Sequence, residues 1–63
     1  MPLVEVRAFE GRFDDQAKSA ELIEKLTDAI ADVYGDALRD ETWVILDGID
    51  PGRWGFGGRV RST

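Results

Sequence analysis

Between Leu3 and Leu46 the chain reads LVEVRAFEGRFDDQAKSAELIEKLTDAIADVYGDALRDETWVIL, and its hydrophobic period changes twice on the way. From Leu3 to Phe9, Val4, Val6 and Ala8 fall on one side of an extended chain, with Leu3, Glu5, Arg7 and Phe9 on the other; this alternation marks a strand. Glu10-Gly11-Arg12-Phe13 breaks the alternation with a glycine. Asp14-Asp15 then place negative charge where a helix N-terminus favours it, with Asp14 as the expected cap. Leu22, Ile23, Leu26, Ala29, Ile30, Val33 and Tyr34 recur at helical spacing as one apolar stripe, and Lys18, Glu21, Glu24, Lys25, Asp28 and Asp32 occupy the rest of the surface. Gly35 suits the position just past the helix end. After a short polar connection, Thr42 to Leu46 (TWVIL) form a second strand, apolar enough to be covered on both faces.

Two strands joined through a helix form a βαβ unit, and so long a crossover makes the strands parallel and the connection right-handed. The predicted fold class is α/β (α+β): one βαβ unit followed by a C-terminal hairpin, in a single domain over residues 1–63. The segment from Gly48 onward, GIDPGRWGFGGRVRST, holds five of the seven glycines and reads as turns with at most a short hairpin. One helix covers one sheet face. The other face, with its share of Val, Leu, Ile, Phe and Trp, has nothing left in the chain to cover it, and a two-stranded sheet is marginal alone. An obligate oligomer is therefore expected. The chain has no internal repeat and no linker.

Length sharpens that expectation. A chain of 63 residues buries only roughly 60% of the surface its unfolded form exposes, which leaves a marginal core. With no cysteine and no histidine, disulfide staples, thiolate nucleophiles, imidazole bases and the usual zinc frameworks are excluded. Eight basic against thirteen acidic side chains give a net charge of −5 and an isoelectric point near 4.4, which argues against nucleic acid or an anionic membrane as partner. No apolar run approaches the ~20 residues of a membrane span, and the start Met-Pro-Leu-Val-Glu lacks the pattern of a signal peptide. A cytoplasmic location is expected.

Few residues remain to carry chemistry. Removal of the initiator methionine before a small residue would leave Pro2 as a secondary amine. The reference α-amino pKa is about 7.7–8.0, and partial burial beside arginines lowers it toward neutrality, where a general base is useful. Met-Pro is also an ordinary start for a cytosolic chain. Arg12, between the first strand and the helix, offers a planar fork that suits a carboxylate, or else pairs with Glu10 or Asp14 at the surface. Six of the eight basic residues are arginines: Arg7, Arg12, Arg39, Arg53, Arg59 and Arg61. The GRWGFGG stretch, Gly52 to Gly58, lacks the lysine and following helix of a phosphate loop, so nucleotide binding is rejected there. Its glycines suit positive φ in a tight turn. Trp54 and Phe56 supply apolar area for an interface, with a water-excluding pocket wall as the other reading of Trp54. Trp43 is core or interface on its strand, with a pocket role as the alternative. Glu5 and Asp47 stand out among the carboxylates only as strand residues, and polar positions in an assembly account for them.

Together Pro2-Leu3-Val4-Glu5-Val6, the block Phe9-Glu10-Gly11-Arg12-Phe13-Asp14-Asp15-Gln16, the helix, Val44-Ile45-Leu46 and Gly52-Arg53-Trp54-Gly55-Phe56-Gly57-Gly58 resemble the 4-oxalocrotonate tautomerase family over nearly the whole chain. The resemblance implies βαβ subunits assembled as a hexamer, a trimer of dimers, with active sites between subunits. It implies keto–enol proton transfer on a small enol or 2-oxo carboxylic acid, an isomerase reaction without cofactor or metal. Pro2 takes the role of general base and acid, Arg12 that of carboxylate anchor, and Trp54 that of apolar wall. At the start of the second strand, where the family carries a second arginine, this sequence has Trp43, an indole without the charge that polarises a 2-oxo group. Trp43 is therefore counted with Arg12 and Trp54 among the substrate-binding residues. Arg39, Arg53 and Arg7 remain as sources of the missing charge, although none stands at that motif position. The departure also leaves open a monocarboxylate or aromatic enol substrate, a hydratase or dehalogenase-like reaction, or a non-catalytic or partner-dependent subunit in a hetero-hexamer with a related chain. If Met1 is retained, Pro2 is an amide and has no basic lone pair.

Overall fold

The computed structural model describes residues 1–60. Strand β1, Leu3–Phe9, pairs in parallel with β2, Trp43–Ile49, in a register that sets Leu3 beside Trp43, Arg7 beside Asp47 and Phe9 beside Ile49. Between them runs helix α1, Gln16–Tyr34. A short antiparallel hairpin of β3, Gly55–Phe56, and β4, Arg59–Val60, closes the described chain. Gly57 (φ 57°) and Gly58 (φ 87°) make its two-residue turn, both in the left-handed region that such a hairpin needs. The βαβ unit and the hairpin are those the sequence predicts.

Three local details differ. The helix cap is Asp15 rather than Asp14: the Asp15 carboxylate accepts from the backbone N–H groups of Ala17 (2.9 Å) and Lys18 (3.2 Å). Asp14 instead ends the single 3-10 turn Glu10–Phe13, its N–H donating to the Gly11 carbonyl. Strand β2 continues to Ile49 instead of stopping at Leu46, because Gly48 is a packing glycine and not a turn glycine. A Cβ there would lie 2.9 Å from Glu10 Cα and 3.1 Å from Glu10 Cβ, so its absence lets the turn after β1 settle onto β2. Finally, the apolar stripe of α1 is only partly covered. Leu22, Leu26 and Ile30 are half-buried, whereas Ile23, Val33 and Tyr34 are exposed.

Packing is correspondingly thin. Val4, Val6, Ala8, Val44 and Leu46, on the helix side of the sheet, are half-buried. Ala31, 5% exposed, is the one buried apolar residue among those described. On the outer face Leu3, Trp43 and Ile45 keep 53%, 57% and 44% of their surface exposed. The chain measures 44 × 25 × 14 Å, and its radius of gyration is 14.5 Å, where a compact domain of this length has about 11 Å. Its accessible surface is 4988 Å²; a compact protein of 7.0 kDa exposes roughly 4,000 Å². The excess is comparable to one partner's share of a standard protein interface, about 800 Å². Among the described residues no helix is long and apolar enough to cross a membrane.

Gly48 yields a direct test. Gly48→Ala drives a methyl group into the Glu10 backbone and is expected to cost about 1–3 kcal/mol, the usual range for overpacking. A fall in the thermal unfolding midpoint measures it, and a midpoint equal to wild type would contradict the packing role.

Candidate active site

Strand β1 has a candidate site residue near each end. At its amino end Pro2 is half-buried, and its carbonyl accepts from the Trp43 N–H at 2.9 Å. The parallel register thereby seats Trp43 beside Pro2, next to Leu3 on the outer face. At the carboxyl end a cavity of about 530 Å³ is lined by Arg7, Phe9, Gly11, Arg12, Trp54 and Phe56 together with Ala8. That volume lies within the usual range for small-molecule sites, about 300–1,000 Å³.

Local chemistry places each lining group. Phe9 is the last residue of β1, and by strand parity it shares the outer side with Arg7. Arg12 is carried by the Glu10–Phe13 turn held down at Gly48. Trp54 is delivered by the Pro51–Arg53 turn, which starts where the Asp50 carboxylate accepts from the Gly52 N–H at 2.8 Å. The Trp54 ring meets Phe9 edge-on at 4.6 Å, with the planes 79° apart, and stacks with Phe56 at 6.5 Å and 21°. Aromatic pairs of this kind contribute about 0.5–1.5 kcal/mol each beyond their buried area, so Trp54 anchors the hairpin as well as walling the cavity.

The arginines divide by their partners. Arg39 is held by Asp28 and by Asp36 at 3.3 Å. Its pKa is raised by those hydrogen bonds, that to Asp28 foremost. Arg7 lies 3.8 Å from Glu5 and 3.7 Å from Asp47 along the outer face, and Arg53 lies 4.0 Å from Asp50. Arg7, Arg39 and Arg53, the three offered by the sequence as sources of the missing charge, are thus each matched by carboxylates. Arg12 is exposed and forms no ion pair among the described residues, and the same holds for Lys18 and Arg59. Arg61 lies outside the described residues. Of the two cations lining the cavity, only Arg12 is free to receive an anion.

Arg12 and Trp54 therefore come together, as do Pro2 and Trp43, but the two pairs do not meet within one chain. The strand between them rises about 3.3 Å per residue, which separates Pro2 from the cavity by about 20 Å. The sequence alone does not mark Phe9 as a site residue, and it assigns Phe56 only to an interface. The available signals were the parity of Phe9 with Arg7 and the two-residue offset of Phe56 from Trp54.

Comparison with known proteins adds a family-level finding. A family model described as "Tautomerase enzyme" matches residues 2–63. Proteins named "Probable tautomerase" from Staphylococcus aureus strains Mu50, MW2 and N315 are each 36% identical to this chain over 62 residues, covering 98% of it and 97% of their own length. No solved structure matches the chain.

The pairing of Arg39 assigns it a structural task, tying the 3-10 segment Asp36–Glu41 to α1. Arg39→Ala is expected to lower the unfolding midpoint slightly and to leave KM for a carboxylate substrate unchanged. A tenfold or larger rise in KM at unchanged assembly would instead make Arg39 a substrate anchor.

Proposed function

The chain belongs to the tautomerase family, and from that premise we propose that it catalyses keto–enol proton transfer on a small enol or 2-oxo carboxylic acid without a cofactor. The observation that carries this reading is the unpaired Arg12 guanidinium set among Phe9, Trp54 and Phe56 in one cavity. Removal of Met1, an exposed residue, frees the Pro2 nitrogen as a secondary amine. In the enol-forming direction this nitrogen takes a proton from the carbon next to the keto group. The C–H bond breaks, an N–H bond forms, and the electron pair moves onto the carbonyl oxygen as an enolate. Return of the proton to oxygen completes enol formation, and the reverse sequence gives ketonisation.

Arg12 holds the substrate carboxylate with its planar fork, and its positive charge stabilises the enolate as it develops. Phe9, Trp54 and Phe56 supply the apolar wall against which the rest of the substrate packs. Since Pro2 and the cavity are about 20 Å apart along one strand, the Pro2 that serves a cavity comes from a neighbouring chain. The exposed outer face of Leu3, Trp43 and Ile45 supports burial between copies in a homo-oligomer, which we take to be a trimer of dimers acting in the cytoplasm. One observation favours a second reading: the uncharged Trp43 beside Pro2 suits a subunit that depends on a related chain for a further cation. Activity of the purified chain alone separates the two.

Intact mass should show loss of Met1 in active material. Pro2→Ala should lower kcat by about 100-fold or more, within the range for loss of a general base. Arg12→Ala should raise KM by about tenfold to a hundredfold, as expected for losing charge-assisted hydrogen bonds to a carboxylate. Equal ketonisation rates for wild type and Pro2→Ala would refute the base assignment.

A further inference from the structure

Arg12 owes its place in the cavity to its backbone alone. Its side chain is exposed and forms no ion pair or hydrogen bond among the described residues, so no partner along the side chain fixes where the guanidinium stands. The Glu10–Phe13 turn that carries it is held at two places. At the first, the parallel register sets Gly48 beside Ala8, and the turn lies so close to Gly48 that a Cβ there would come within 2.9 Å of Glu10 Cα and 3.6 Å of the Phe13 ring. Gly48 is not among the glycines with positive φ, so the close approach and not the backbone conformation calls for glycine. At the second, the half-buried Ser19 hydroxyl donates to the Phe13 carbonyl at 3.3 Å and ties the far end of the turn to the start of α1. Neither Gly48 nor Ser19 lines the cavity.

We infer that Gly48 and Ser19 are positioning residues for Arg12: together they fix the turn against β2 and α1, and so fix where the guanidinium meets an anion in the cavity. This rests on the reading of Arg12 as the carboxylate anchor. A methyl group at Gly48 drives the turn back by about half an ångström before ordinary contact with Glu10 is restored. Binding groups need to be held within about 0.5 Å of their productive geometry, and a misplacement of about 1 Å can cost on the order of a hundredfold. Removing the Ser19 hydroxyl acts in another way, releasing the turn without crowding it. Both changes reach a bound carboxylate only through Arg12.

That dependence is read by a double-mutant cycle, with calorimetric binding of cinnamate, an inert carboxylate, to the full chain with Met1 removed. Gly48→Ala should weaken binding about threefold to tenfold when Arg12 is present, and by less than twofold in the Arg12→Ala background. Ser19→Ala should lose about twofold to threefold with Arg12 present and nothing measurable without it. A merely structural role would weaken binding equally in both backgrounds, because damage to the cavity does not depend on the guanidinium. Equal losses in the two backgrounds, or wild-type affinity in both single variants, would overturn the positioning roles. Dependence on Arg12 for one variant alone would overturn the role of the other residue. Arg12→Ala binding cinnamate as well as wild type, or wild type not binding it, would instead refute the anchor reading itself. If Gly48→Ala fails to fold, the Ser19 cycle decides.

Discussion

The parallel pairing of β1 with β2 is the constraint on which the rest of the structure depends. It needs a long crossover, and among the described residues that crossover is α1 with its flanking 3-10 turns, so one face of the sheet is covered and the other is not. The same register seats Trp43 beside Pro2 and carries β2 far enough to support the Glu10–Phe13 turn at Gly48. It also fixes the distance between the two half-sites at the length of a strand. The uncovered outer face and the separation of the candidate site residues thus have one cause.

Much of this was legible in residue order, for a physical reason. Side-chain parity on β1 follows directly from a period of two, and the exposed outer face was foreseeable from Leu3, Trp43 and Ile45 once a single helix was counted against two faces. What was not legible involved competition between local choices. Adjacent aspartates both favour a helix start, and only the backbone path of the preceding turn decides that Asp15 caps while Asp14 closes the turn. Gly48 looks like a turn residue because glycine frees φ, yet here its value is the missing Cβ against Glu10, a long-range contact that composition does not display. The role of Phe9 likewise depends on where the hairpin brings Trp54.

Charge follows a similar division between local and distant partners. Exposed pairs such as Arg7 with Glu5 and Asp47 contribute little stability, but they settle which guanidiniums are already spoken for. Arg39 bridges the 3-10 segment and the helix, and Arg53 stays within its own turn. Arg12, set in a chain of net charge −5, stands in the cavity without a carboxylate of its own. Its setting in that cavity is aromatic, with Phe9, Trp54 and Phe56 around it. Trp43, at the start of β2, sits beside Pro2 and away from that cavity.

The central claim, that a working site joins the amino end of one chain to the Arg12 cavity of another, is open to a mixing measurement. Pro2→Ala and Arg12→Ala, each nearly inactive alone, are unfolded together in equal amounts and reassembled, and the ketonisation rate is compared with that of each variant treated separately. Sites made between chains predict recovery of up to about a quarter of wild-type activity, since random assembly unites an intact proline and an intact arginine at that frequency. A mixture no more active than the variants by themselves, with assembly confirmed by mass, would place both groups in one chain and contradict the account.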